Sequence, residues 1–200
     1  MKLVSFFVSF SPFKMSLLGY VVVFFLFCCS YALNLTALFL PKWLTRIIPK
    51  PSYSETNYGL FKLCSSLTGE CRPFPGPSDC TQEEGFCQLW QAAGAGMILG
   101  AVVGTLTIVA LLGVMCSNRE KRERGWKLVS GMLVLFAVPS IVSFSIIAYL
   151  YNTSSIFYSG TKYDQSFIMN SASWCISVIL AFSMLLASFI GNPHYYERLD

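Results

Sequence analysis

Four cysteines, Cys64, Cys71, Cys80 and Cys87, fall within a stretch of about fifty residues between Lys42 and Trp90 that is rich in Pro, Gly, Ser and Thr. Three chemistries compete for such a set. A zinc site needs paired CxxC spacing or nearby histidines, and this stretch has neither. Thiol–disulfide exchange needs a reactive CxxC pair, which is also absent. A small segment poor in core residues and exposed to an oxidising space instead suits a disulfide framework. Four cysteines allow three connectivities. The favoured one joins Cys64 to Cys71 and Cys80 to Cys87, each closing a short hairpin-sized loop. Cys28, Cys29 and Cys175 lie in apolar runs and read as small packing residues. Cys116 is a candidate for palmitoylation.

Other reactive groupings are sparse. No phosphate-binding loop, nucleophile triad or metal cluster is visible, so neither an enzyme nor a cofactor is expected. The single histidine, His194, sits beside Tyr195 and Tyr196 near the end of the chain, where a solvated or interfacial role fits. Asp79, Glu83 and Glu84 could meet a cation weakly, but a solvated loop face is the plainer reading. The formal charge of +4 is too small to imply nucleic acid as a partner. Arg119, Lys121, Arg122, Arg124 and Lys127 form a dense basic cluster. It suits anionic lipid headgroups or the topology rule that short basic loops stay in the cytoplasm.

These residues must be held by something, and the composition says what. Hydrophobic residues make up 54% of the 200-residue chain and charged residues only 12%, where soluble domains carry about 25% charge. Four stretches contain no Asp, Glu, Lys, Arg or His: Met15 to Leu40, Ala93 to Met115, Leu128 to Tyr151 and Phe167 to Ile190. A bilayer span needs about 20 apolar residues, so all four are expected to cross a membrane. Ser30-Tyr31-Ala32 imitates a signal-peptide cleavage site. The apolar run continues past it to Leu40, whereas a cleaved core is about 7 to 15 residues long; an uncleaved first helix is expected. The basic loop 116–127 then lies inside, with both termini, and loops 41–92 and 152–166 lie outside. Lys42, Arg46 and Lys50 outnumber Lys2 and Lys14 across the first span and pull the other way, but the short dense loop dominates. No span holds the ionisable groups that proton relays and ion pathways use.

Within the first outer loop, Tyr58 to Cys64 and Cys71 to Phe74 could form a cross-linked hairpin around Thr68-Gly69-Glu70. Pro73 to Pro77 must be a turn or an extended segment. The second outer loop, with Phe157, Tyr158 and Tyr163, could add one strand. Gly96, Gly100 and Gly104 recur every four residues, a face that allows close helix approach. It would serve either packing within the bundle or homo-oligomerisation. Ser173, Ser177 and Ala181 give the last span a similar stripe. Asn34 is expected to hydrogen-bond a neighbouring helix. Pro139 should free a carbonyl that Ser140 or Ser143 could satisfy. Asn152-Thr153-Ser154 is a candidate glycosylation sequon close to the membrane; Asn34-Leu35-Thr36 matches the pattern too, but within a span.

Trp43, then Gly59-Leu60-Phe61, Cys64 and Cys71, resembles the W…GLW…C…C signature of the first outer loop in claudins. That superfamily also includes the peripheral myelin protein group and the calcium-channel gamma subunits. Phe61 stands where the family usually has Trp. Leu89-Trp90-Gln91-Ala92-Ala93 is similar to the family's LQAAR stretch, with Gly94 in the place of Arg. The Cys64–Cys71 interval is short for a claudin and Cys80 and Cys87 form an added pair, which points to a distant, fungal-type claudin-like branch.

The expected fold is therefore an all-α membrane protein: a four-transmembrane-helix bundle carrying a small disulfide-stapled extracellular β-sheet. The resemblance implies that Trp43 and the Gly59-Leu60-Phe61 segment anchor that sheet at the membrane surface. It implies a multi-pass plasma-membrane protein that organises membrane domains or cell-surface contacts through its first outer loop. The expected partners are membrane lipids, further copies of the chain and other membrane proteins. Two alternatives share the layout: an auxiliary subunit modulating a channel or transporter, and a paracellular-type pore former. The first outer loop carries five basic and five acidic residues between Lys42 and Glu84, so it announces no ion selectivity.

Overall fold

The computed structural model describes residues 17–48, 54–157 and 160–190. Lys2, Lys14, Lys50, Tyr158 and His194 lie outside them, and the side chains of residues 82, 119–124 and 188–190 are likewise outside the description. In chain order the elements are α1 (Leu17–Phe39), β1 (Leu44–Ile48), β2 (Ser54–Tyr58), β3 (Lys62–Ser65), β4 (Cys71–Pro73), α2 (Pro77–Gln82), α3 (Phe86–Met115), α4 (Arg119–Thr153), β5 (Thr161–Tyr163) and α5 (Gln165–Ile190). Four of the helices, α1, α3, α4 and α5, are long and apolar enough to cross a membrane. They pack as a ring in which α3 lies between α1 and α4, and α5 closes the ring between α4 and α1.

Two helices overrun the charge-free stretches. α3 has 30 residues, about 45 Å at 1.5 Å per residue. It begins at Phe86 rather than Ala93 because Phe86 and Trp90, one turn apart, are both buried against the sheet. The loop expected at 116–127 shrinks to residues 116–118, since α4 is helical from Arg119. Arg, Lys and Glu are good helix formers. Gly125 also lets α4 approach α3 closely: a Cβ there would lie 2.7 Å from a Val114 methyl.

The glycine face is used within the bundle. A Cβ at position 96 would stand 2.5 Å from Ser143 Oγ, and one at 104 would stand 2.5 Å from two carbons of the Tyr31 ring. Of the two roles open to this face, close packing against α4 and α1 is the one it fills here. The serine stripe of α5 meets α1 in the same way. Ser30 Oγ donates to the Ser173 carbonyl at 2.8 Å, Ser173 Oγ donates to the Ser30 carbonyl at 2.8 Å, and Ser30 Oγ lies 2.9 Å from Ser177 Oγ. Asn34 bonds across to α4, its Nδ2 donating to Ser140 Oγ at 3.1 Å. The serines near Pro139 do not serve the carbonyl that the proline frees. Ser140 Oγ donates to the Phe136 carbonyl, and Ser143 Oγ lies within bonding distance of the carbonyls of Pro139 and Ala93. A helical serine reaches most readily the carbonyl one turn before it.

Cys28 and Cys175 are half-buried, but Cys29 is exposed on the outside of the bundle and is not a packing residue. Residues 30–32 lie inside α1, and Ser30 is fully buried.

The sheet is antiparallel in the order β4-β3-β2-β1-β5, so the second connection does contribute one strand. The expected strand from Tyr58 to Cys64 divides in two at Gly59. A Cβ at that position would sit 2.6 Å from Pro41 Cα, so only glycine lets the chain cross beside Pro41. The Gly59 amide donates to the Lys62 carbonyl at 2.8 Å and closes the turn. Phe74, expected to end a strand, follows β4 and turns inward, 4% exposed. Leu44 to Ile48, with three β-branched residues, was the overlooked strand signal.

Filling the glycine face should damage the bundle selectively. Gly104→Val is expected to lower stability by about 1–3 kcal/mol through overpacking. Gly113→Ala, where an added Cβ meets nothing within 4 Å, should leave the unfolding midpoint in detergent micelles unchanged. Equal effects of the two substitutions would contradict the packing described.

Candidate functional site

The sheet, the two disulfides and α2 gather at one end of the bundle, where α1 and α4 end and α3 and α5 begin. Residues 116–118 and the basic segment that follows occupy the opposite end. Two tryptophans dock the sheet onto the helices. Trp43, fully buried, donates from Nε1 to the Ala37 carbonyl at 2.8 Å, which ties it to the last turn of α1. Its backbone N–H donates to the Tyr58 carbonyl, and its carbonyl accepts from the Asp164 N–H at the start of α5. Trp90, on α3 and also fully buried, donates from Nε1 to the Leu60 carbonyl at 3.1 Å. Both indoles thus find the acceptor that a buried N–H requires.

Around Trp90 stand Phe74, Phe86 and Phe157, with ring centroids 5.1–5.8 Å from the indole. Tyr58 extends the cluster, 5.5 Å from both Phe74 and Phe157. Burial pushes the Tyr58 phenol above its ordinary value. This cluster unites the first connection, the α3 start and the second connection, and sequence reading missed it. The Phe86/Trp90 spacing of one helical turn was the available signal.

The structure brings Trp43, Gly59 and Leu60 together at this junction. Phe61 differs from them: 44% exposed, it lies over α3 where a Cβ on Gly94 would be 3.1 Å from its ring. The disulfides join Cys64 to Cys71 and Cys80 to Cys87. The first cross-links directly opposed residues of β3 and β4. The second does not close a hairpin. It ties α2 to the first turn of α3, because Pro77 at the first helical position and Asp79 nucleate a helix there.

Of the three acidic residues Glu84 is exposed, as expected of a solvated face, whereas Asp79 and Glu83 are engaged by the protein. Asp79 makes a bidentate pair with Arg72, at 2.8 and 3.0 Å, and also accepts from the Gly76 N–H at 2.8 Å. The Arg72 hydrogen bond, opposed by burial and aided by Gly76, holds the Asp79 carboxyl below the usual carboxylate range. Glu83 accepts from Ser154 Oγ at 2.6 Å and from the Ser155 N–H at 3.1 Å, bridging the two connections. Among the described residues no group of three or more His, Cys, Asp or Glu could hold a metal ion.

The remaining candidates lie elsewhere. Asn152 is in the last turn of α4, exposed, with Nδ2 donating to the Ala148 carbonyl at 2.7 Å. Cys116 is exposed where α3 ends. Of the basic cluster, Lys127 is exposed with its ammonium 5.6 Å from the Trp126 ring centroid; Arg119, Lys121, Arg122 and Arg124 lie on the first turns of α4. No family model and no curated protein matches the chain.

The sign of the Asp79 effect is testable. Its folded value is depressed, so the stabilisation is complete above the unfolded carboxyl value of about 3.9 and is lost as pH falls through the folded value. Hydrogen exchange, corrected for intrinsic rates, should show protection of the Gly76 and Cys80 amides falling as pH drops below that range. Asp79→Asn should weaken that protection at neutral pH and flatten its pH dependence; a variant as protected and as pH-sensitive as the wild type would refute the assignment.

Proposed function

We propose that the chain is a non-enzymatic, four-span protein of the plasma membrane whose stapled sheet makes lateral or cell-surface contacts. Both termini and the basic end lie in the cytoplasm, and the sheet lies outside. The supporting observation is the division between the two ends of the bundle. All four cysteines of the two disulfides lie at one end, and the five-residue basic cluster lies at the other. Disulfides persist in oxidising compartments, and short basic segments are retained inside.

The sheet is built as a rigid platform. Its helix-facing side is filled by the aromatic cluster. Its periphery carries the apolar side chains of Ile47, Ile48 and Leu67, the last 62% exposed on the β3–β4 turn. Scattered exposed apolar residues need no explanation in themselves, but on a disulfide-fixed surface they are ready contact points. The resemblance to claudins, carried by Trp43, Gly59-Leu60-Phe61, Cys64 and Cys71, points the same way.

Tagged protein imaged in its own cells should concentrate in patches or at contact zones. Leu67→Glu, on a turn where the side chain is exposed, should reach the surface normally and lose that concentration severalfold. A uniform distribution of the wild type, or recovery in fixed stoichiometry with a channel, would overturn this reading.

A further inference from the structure

At one level of the bundle all four long helices contribute to a polar junction. Asn34 on α1 and Asn170 on α5 are both fully buried, as are Ser140 on α4 and Gly100 on α3. The two asparagines converge on Ser140: Asn34 Nδ2 donates to its Oγ at 3.1 Å, and Asn170 Nδ2 donates to its carbonyl at 3.2 Å. Yet the amide oxygens, Asn34 Oδ1 and Asn170 Oδ1, are buried without a hydrogen-bond partner in the protein. A buried acceptor left unmatched costs about 1–3 kcal/mol, and two at one junction is an unusual concentration.

Gly100 faces one of them. A methyl group on Gly100 would make only ordinary contacts, 3.4 Å from Ser140 Oγ and 3.9 Å from Asn34 Oδ1. The junction is therefore polar, and Gly100 adds no side chain to it. Buried sites of this kind hold water, which satisfies otherwise unmatched groups.

We propose that this junction is a water-binding site, in which ordered water donates to Asn34 Oδ1 and Asn170 Oδ1 beside Gly100. The chemistry selects water over a cation. Two amide oxygens and a hydroxyl are too few to replace the shell of about six oxygens that a hard cation takes, and the spans hold no carboxylate to offset its charge. The site adds to the Ser30, Ser173 and Ser177 hydrogen bonds one turn away and makes one polar seam of them. This inference is independent of the function proposed above, since it depends only on the bundle.

The test uses the full chain in nanodiscs, with asparagine side chains labelled for proton-detected NMR. Wild type should show water cross-peaks at both amide groups that persist when sodium is exchanged for potassium. Gly100→Ser places a hydroxyl within reach of Asn34 Oδ1. It should abolish the Asn34 water signal and leave the unfolding midpoint at or above that of wild type. Gly100→Ala adds a methyl without a donor and should leave the midpoint below that of Gly100→Ser. Absence of water contacts in the wild type would overturn the proposal, as would amide shifts that follow the cation. A Gly100→Ala midpoint at or above that of Gly100→Ser would do the same.

Discussion

The fold rests on two indole N–H groups. Strands of three to five residues cannot form a stable sheet unaided; one face has to be covered. Trp43, tied to the end of α1, and Trp90, on α3, supply that cover. Each gives its N–H to a backbone carbonyl, Ala37 and Leu60, that lies across an element boundary. These two bonds fix the height at which the sheet sits on the helices. The rings of Phe74, Phe86 and Phe157 then pack into the space so defined. The disulfides, the Arg72–Asp79 pair and the Glu83 bridge are consequences in the sense that each closes a segment the indoles have already positioned.

The helices below the sheet face a different problem. If lipid surrounds them, apolar contact between helices gains little over contact with lipid, and close packing with hydrogen bonds must hold them. The distribution of residue types matches that requirement. Large apolar side chains such as Leu99, Val102, Leu106 and Val109 point away from the bundle, while Ser30, Asn34, Ser140, Asn170, Ser173 and Ser177 are buried. The outer face is apolar where a water-soluble bundle's is polar, and serines and asparagines share the interior with the apolar core. Gly96 and Gly104 bring α3 close enough for Ser143 and Tyr31 to fill the remaining space.

Much of this was legible in the residues. Absence of charge is a strong signal over twenty residues, so the four long helices could be read directly. Cysteine pairs seven residues apart likewise pointed to the observed bridges. What the sequence hid was set by contacts between distant segments. Asp79 reads as one of three loose acids until Arg72 and the Gly76 amide are brought to it. Glu83 acquires its role only from Ser154, in another connection. Trp90 looks like a residue at a helix start, and nothing local says that Leu60 lies above it. The helical extension at Arg119 was masked for another reason: charge density favours a loop reading by topology, although the same residues favour helix by propensity.

The chain carries its own reporters of which end of the bundle faces out. Lys62 and Lys162 are exposed on the sheet, and Lys127 is exposed at the opposite end. Intact cells treated with a membrane-impermeant amine reagent, followed by mass mapping of the modified lysines, read the orientation without any substitution. Lys62 and Lys162 should be modified, with Lys127 protected until the membrane is permeabilised. Modification of Lys127 in intact cells, with Lys62 and Lys162 protected, would contradict the proposed orientation.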